Sequence, residues 1–563
     1  MEKKELSQEM RVLLAFALSF LILLISQRYL LKPPPPRPAG KPASTPAAVP
    51  APPPATPPTE AALPTEPKQG GAEEQITVDA GLYQVVFSTR GAVVKGWTLR
   101  NYRDEQNNPL DLVNPDAAAL FGAPFSIWVS DEALRREINS ALFVPSATGS
   151  IKAPATVTFE YSNGRIVARK QFTFTPDSYV LNVTTELSSE GKSVGHALAW
   201  RGGFGDIHDV AATGGLVQVF YREPQKIVYL APKNAEGEES TISGLFAFAG
   251  IEDRFFCAAF LPQQGPLRVT AFHHEIELPG QSKKQPTLGV AVASGDSPVN
   301  RLRLFVGPKD TDVLAKAEPR LPELVDYGWF TFIAKPLFLA MRWMHARVVG
   351  NYGWSIVLLT VVINFALFPL KIKSLRSAMK MQKLQPQIKA VQEKYKHLKM
   401  KDPRKQEMTK ETMDLYKKHG VNPVGGCLPM LLQIPFLYGF YKVLIVSIEM
   451  RHAPWILWVR DLSAPEHIFI KVLPLLLCGT QFVLQKMSPA TSPDPTQQKM
   501  MMFMPVMFLF FFWNMSSGLV LYWLTGNVVG IAQQWYINRT ELQHLIEEKK
   551  SAAARKKQSS NKR

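Results

Sequence analysis

Cysteine is almost missing from this chain: three occur in 563 residues, Cys257, Cys427 and Cys478. Cys257 stands alone in its region and the other two fall in apolar runs, so neither a disulfide framework nor a zinc-binding spacing can be assembled. All three are read as inert, buried thiols, and no metal or other cofactor is expected. Acidic residues are absent from the places where they would matter most. The apolar runs at 12–25, 354–370, 424–448, 469–484, 500–513 and 519–531 contain no Asp or Glu. Secondary transporters commonly combine repeated halves with ion-binding groups at mid-membrane; this chain shows no internal repeat and no intramembrane carboxylate, which argues against a transporter or channel. Long uninterrupted apolar stretches are also scarce. The runs at 469–484 and 500–513 fall short of the roughly 20 residues that cross an ordinary hydrocarbon core, so either polar flanks enter the membrane or the bilayer is thinned there.

Positive charge is plentiful, and it is clustered. The net charge is +17, and residues 371–418 hold fifteen Lys/Arg against five Asp/Glu, while the tail ends RKKQSSNKR. Basic clusters beside apolar spans mark the cytoplasmic side. If 371–423 is cytoplasmic, four further spans return the C-terminus to the cytoplasm, and counting backwards places 32–350 outside and the N-terminus inside. The first run follows Lys3, Lys4 and Arg11, but SQRYLLKPPPP offers no small-residue cleavage site, so 1–31 is read as an uncleaved anchor. Residues 33–68 hold fifteen of the 45 prolines, the composition of an extended, semi-rigid spacer over 32–75.

From 76 to 320 the pattern is that of short strands. ATVTFEYSNGRIVARKQFTF alternates apolar and polar residues around Asn163-Gly164, a strong hairpin signal. This region is expected to form one large β-sandwich. His273, His274 and Glu275 are neighbours on a strand and face opposite sides, so a structural role is preferred to a metal site. In 321–349, Lys335, Arg342 and His345 share a helical face opposite Phe332, Leu339 and Met341, which suits a helix lying on the membrane surface; packing against the sandwich is the alternative.

The cytoplasmic segment 372–421 carries Met381, Leu384, Ile388, Val391, Tyr395 and Leu398 at 3-4-3-4-3 spacing, a coiled-coil seam. Asp402-Pro403 reads as the start of a second helix, giving an antiparallel hairpin, with Pro386 expected to kink the first helix. The hairpin and the basic tail 539–563 are candidate contacts for a ribosome or targeting factor; a solvated basic spacer is the plainer reading.

Spans are assigned at 350–371, 422–448, 468–486 and, as a pair, 500–538, joined by an outer loop at 449–467 and an inner one at 487–499. Four of them carry an amide in their inner half. At about 1.5 Å per residue, Asn364 lies roughly 9 Å from the inner end of its span, Gln433 about 12 Å, Gln481 about 7 Å and Asn527 about 15 Å. Amides are costly in hydrocarbon and imply a partner or a wet cavity. Converging amides would line a recess open to the cytoplasm and closed outside; private hydrogen bonds between helices are the alternative.

Three strings then carry a resemblance: VNPVGGCLPMLLQIPF, QKMSPATSPDPTQQKMMMFMP and SSGLVLYW, in that order. They resemble the YidC/Oxa/Albino family of membrane protein insertases, and the preceding anchor, linker and β domain are similar to the arrangement in Gram-negative members. The resemblance implies an inner-membrane protein of six transmembrane helices, five forming the insertase core, with a large periplasmic β domain and a cytoplasmic helical hairpin. Such a protein is expected to insert and fold other membrane proteins, alone or beside the Sec translocon and its accessory subunits, without being an enzyme. Its implied partners are nascent membrane proteins and the lipid bilayer itself. The implied substrate groove involves Thr360, Asn364, Gln433, Gln481 and Asn527, and the implied hydrophobic slide Met430, Phe436, Phe503 and Met507. One departure is visible: Asn364 occupies the position where many bacterial members hold a groove Arg. Lys371, Lys373 and Arg376 are the residues available to supply part of that positive field, and Asn364→Arg is expected to be tolerated. The rival readings are a transporter or channel, and an envelope protein whose main role lies in the β domain.

Overall fold

The computed structural model describes residues 66–206, 217–230, 239–276, 285–295, 297–395, 404–420, 428–488 and 495–560. The anchor, most of the proline-rich spacer, Cys427 with the glycine-rich start of its apolar run, Asp402-Pro403 and residues 489–494 of the loop 487–499 lie outside the described residues.

Residues 66–320 build three sheets rather than a simple two-sheet sandwich. A ten-stranded antiparallel sheet runs in the order Ile227–Leu230, Gln218–Arg222, Ala249–Glu252, Phe256–Pro262, Val299–Pro308, Val180–Ser189, Ile166–Phe174, Ala155–Ser162, Val144–Pro145, with Lys192–Ser193 paired to the side of Val180–Ser189. Two five-stranded sheets pack with it. Three short helices, α1 (Pro115–Phe121), α2 (Glu132–Ser140) and α3 (Thr311–Ala317), complete the domain. The alternation read from sequence holds: along Ile166–Phe174 every second residue is buried. The hairpin forms, but Asn163 pairs ahead of the turn and Gly164-Arg165 are its central residues, with Gly164 at φ 84°. Glycine at the first central position is the signature of a II′ turn.

Lys170 occupies one of the inward positions. Its ammonium donates to Gly91 O (2.7 Å), Ala92 O (3.2 Å) and Phe125 O (2.7 Å), tying the sheets together where Phe125, Phe172 and Phe87 pack. His274 stacks on Phe121 at 4.0 Å, and no metal-binding cluster occurs among the described residues.

His196 is buried, with Nδ1 donating to Val194 O (3.0 Å) and Nε2 accepting from Thr185 Oγ1 (2.8 Å). Both ring nitrogens are satisfied by the neutral imidazole, and burial pushes its pKa down to about 4. The unfolded chain therefore binds this proton more readily than the folded one, so stability is full above pH 6.5 and falls as pH drops toward 4. The loss approaches about 3 kcal/mol. Thermal unfolding of the solubilised chain, followed by the buried Trp200, should show this acid slope, and His196→Gln should flatten it.

The remaining helices are α4 (Thr331–Met344), α5 (Tyr352–Ala366), α6 (Phe368–Lys394), α7 (Arg404–Lys418), α8 (Leu428–Val446), α9 (Val472–Met487), α10 (Pro495–Phe512) and α11 (Ser517–Ser560). Among the described residues no single helix is both long and apolar enough to cross a bilayer, so a count of six spans is not established; one bent pair, Thr331–Val349 with Tyr352–Ala366, passes together at 113°. The corner is built locally. Gly350 takes a left-handed cap (φ 60°), and Asn351 accepts from Trp354 N to start the next helix. On α4, Phe332 and Leu339 are exposed while Leu337, Phe338 and Met341 are buried, Leu337 lying against α8 near Gly439. Met341 thus belongs to the packed face, not the apolar surface face expected for it.

The hairpin seam is present. Met381, Leu384 and Ile388 cluster with Tyr416 of α7, Val391 is half-buried, and Tyr395 meets Glu411 at 3.0 Å. The first helix continues through Pro386. α11 runs without a break from the last apolar run into the basic tail.

Candidate groove site

The chain leaves α5 and enters α6 almost without losing helical register: Leu367 N donates to Ile363 O and Lys371 N to Leu367 O. Asn364 and Lys371, two turns apart, therefore share a face. The Lys371 ammonium lies 2.7 Å from Asn364 Oδ1 and 3.3 Å from Gln533 Oε1 of α11. Asn364 Nδ2 donates back to Thr360 O (2.8 Å), Thr360 Oγ1 to Ile356 O (2.6 Å), and Gln533 Nε2 to Asn364 O (3.1 Å). Thr360, Asn364 and Gln533 are buried.

Gln433 joins this cluster from α8, lining the same small cavity as Asn364, Lys371 and Tyr522 of α11. A β-carbon added to Gly526 would lie 3.9 Å from both the Asn364 and the Gln433 amide nitrogens, so that glycine lets the two amides sit against α11. Asn364, Lys371, Gln433, Phe436 and Tyr522 line a cavity of about 10 Å³, room for about one water. Little open space is left between these side chains. Among the described residues no carboxylate pairs with this ammonium; its acceptors are neutral amides.

The other two amides belong elsewhere. Asn527 Nδ2 points to Thr480 Oγ1 of α9 (3.4 Å), and Gln481 Oε1 is buried with no hydrogen-bond partner in the structure. The four amides therefore do not converge: Asn364 and Gln433 gather against α11, Asn527 makes a single contact to α9, and Gln481 stands apart. Of the slide residues, Phe436 borders the cavity, Phe503 is 70% exposed on α10 and Met507 is half-buried; the side chain of Met430 lies outside the described part. Apolar patterning does not point to Gln533, which falls just beyond the last apolar run. The signal was there: Gly526, Gly530 and Gln533 recur at helical spacing on one face.

Comparison with known proteins bears on both halves of the chain. The family model described as "YidC periplasmic domain" matches residues 75–340, and that described as "60Kd inner membrane protein" matches 343–544. The chain is 35% identical to the "Membrane protein insertase YidC" of Syntrophus aciditrophicus, covering 94% of this chain and 99% of that protein. It is 37% identical to the protein of the same name from Pelobacter propionicus, with the same coverage of both. A solved structure entitled "Active YidC insertase crystal structure with the first transmembrane domain resolved" aligns over 84% of this chain and 95% of its own at 19% identity and a TM-score of 0.36.

Proposed function

The chain belongs to the YidC family of membrane protein insertases, and from that premise we infer that it inserts and folds integral membrane proteins by offering polar client segments a charged, hydrogen-bonding passage on the inner side of the membrane. It is an inner-membrane insertase with a periplasmic β domain and a helical core. The observation that carries the passage reading is the Lys371 ammonium, held by Asn364 and Gln533 with neutral acceptors alone. A cation so placed favours an incoming carboxylate by about 2–4 kcal/mol at 4–8 Å and an effective dielectric near 20. Lys371 thus takes the part that the groove Arg plays in many relatives, two helical turns further along the chain. The action is physical: amides and the ammonium replace water around a polar segment, and short helices such as α5 and α9 favour a thinned bilayer.

In this reading α6–α7 and the end of α11 lie in the cytoplasm, and 66–320 outside. The exposed faces of α8 and α10, with Ile434, Phe503, Val506 and Phe510, offer the apolar part of the client a lipid-side track. Nascent membrane proteins are the clients. Contacts with the Sec translocon, and with a ribosome or targeting factor through the hairpin and tail, belong to the same proposal. Deleting 381–418 should impair insertion while leaving the spans assembled, since the α6–α7 seam is self-contained. Unchanged insertion in cells depleted of the native protein would remove the hairpin from the mechanism. The test of the passage itself is a photo-crosslinker in place of Gln433, which should capture nascent clients.

A further inference from the structure

A second and much larger cavity, about 650 Å³, lies between the β domain and the outer ends of the core helices. Its β-domain wall carries Gln218, Tyr229, Glu252 and Lys309; its core wall carries Tyr441 and Ile445 of α8 and the link 514–516 between α10 and α11. Pockets that bind ligands span about 300–1,000 Å³. Arg254 pins the two walls together, donating to Ile445 O (2.8 Å) and Ser463 O (3.1 Å).

The lining has no single sign of charge. Glu252 and Lys309 face each other at 3.1 Å, and Lys442 and Asp326 at 3.9 Å. Tyr229 lies on Ile227–Leu230, the terminal strand of the ten-stranded sheet, and all four residues of that strand are only half-buried. Among the described residues no further strand pairs with it. A terminal strand presents unpaired backbone groups on which an extended peptide can add.

We propose that this cavity receives the extended, hydrophilic segment of a client as it emerges past the outer ends of α8 and α10, and pairs that segment's backbone with the edge strand Ile227–Leu230. The proposal rests on the insertase reading above. Backbone pairing suits such a site because it ignores side-chain identity, and walls of mixed charge reject neither acidic nor basic segments. A lipid headgroup would be held by the charges but has no backbone to use the strand edge.

The test uses the full chain in membrane vesicles with ribosome-stalled clients of increasing length. A benzophenone amino acid replaces Gln218 in one variant, Phe436 in a second, and in a third Lys192, which is exposed and does not line the cavity. The Gln218 position should capture the client's translocated segment at longer chain lengths than the Phe436 position does, for acidic, basic and neutral segments alike, and the Lys192 position should capture none. Hydrogen exchange at 227–230 should slow severalfold in the stalled complex. Capture at Phe436 without capture at Gln218, capture of lipid alone at Gln218, equal capture at Lys192, or unchanged exchange at 227–230 each overturns the proposal. Loss of capture at both Phe436 and Gln218 would instead overturn the passage reading on which it rests.

Discussion

Replacing Lys371 with Met should cut insertion of clients whose translocated segment carries Asp or Glu on the order of 30-fold, the equivalent of about 2 kcal/mol of lost attraction, while clients with neutral segments are much less affected. The ammonium is held by two amide oxygens, and a client carboxylate arriving in its place offers a stronger, charge-assisted partner. Lys371→Arg keeps the charge and should retain most of the activity. Protease protection of the translocated segment, measured for a matched acidic and neutral client pair, gives the readout. Equal loss for both clients would make Lys371 a packing contact that holds α6 against α11.

Asn364→Arg should be harmful alone and rescued by a second change, which reverses the tolerance expected from sequence. Asn364 is buried and touches the Lys371 ammonium at 2.7 Å. A guanidinium there would meet a like charge, at a cost of about 4 kcal/mol for 4 Å separation at an effective dielectric of 20. It would also remove the amide oxygen that holds the lysine. Combining Asn364→Arg with Lys371→Thr moves the single cation back to the position it occupies in many relatives, and insertion of acidic clients should recover. Full activity of Asn364→Arg alone would mean that the two side chains separate into water and that the site is wider than the 10 Å³ seen here.

The helical core and the β domain were both legible in outline because their signals are local. Period-2 alternation gave the strands, and the 3-4 spacing of Met381, Leu384 and Ile388 gave the hairpin seam, whose partner Tyr416 is close in sequence. The turn at Gly164-Arg165 lies one residue beyond the Asn163-Gly164 signal, because that dipeptide suits a turn in either register. The number of sheets was not legible, because strand order depends on pairings such as Val180–Ser189 with Val299–Pro308 that lie far apart in the chain.

The sequence by itself determined the class of this protein: basic clusters beside short apolar runs, amides within those runs, a strand-rich domain and three strings resembling an insertase family. Composition and spacing suffice for these because each reflects a rule acting on neighbouring residues, namely the cost of charge in hydrocarbon, the period of a strand and the period of a helix. Only the tertiary structure decided which amides act together. Asn364 and Gln433 meet across Gly526, Asn527 turns to Thr480, and Gln533, unremarked in the sequence, completes the seat of Lys371. Depth along a helix can be counted from sequence, but the azimuth at which four helices face one another is set by long-range packing, and the place of the fixed charge in this membrane protein follows from that azimuth.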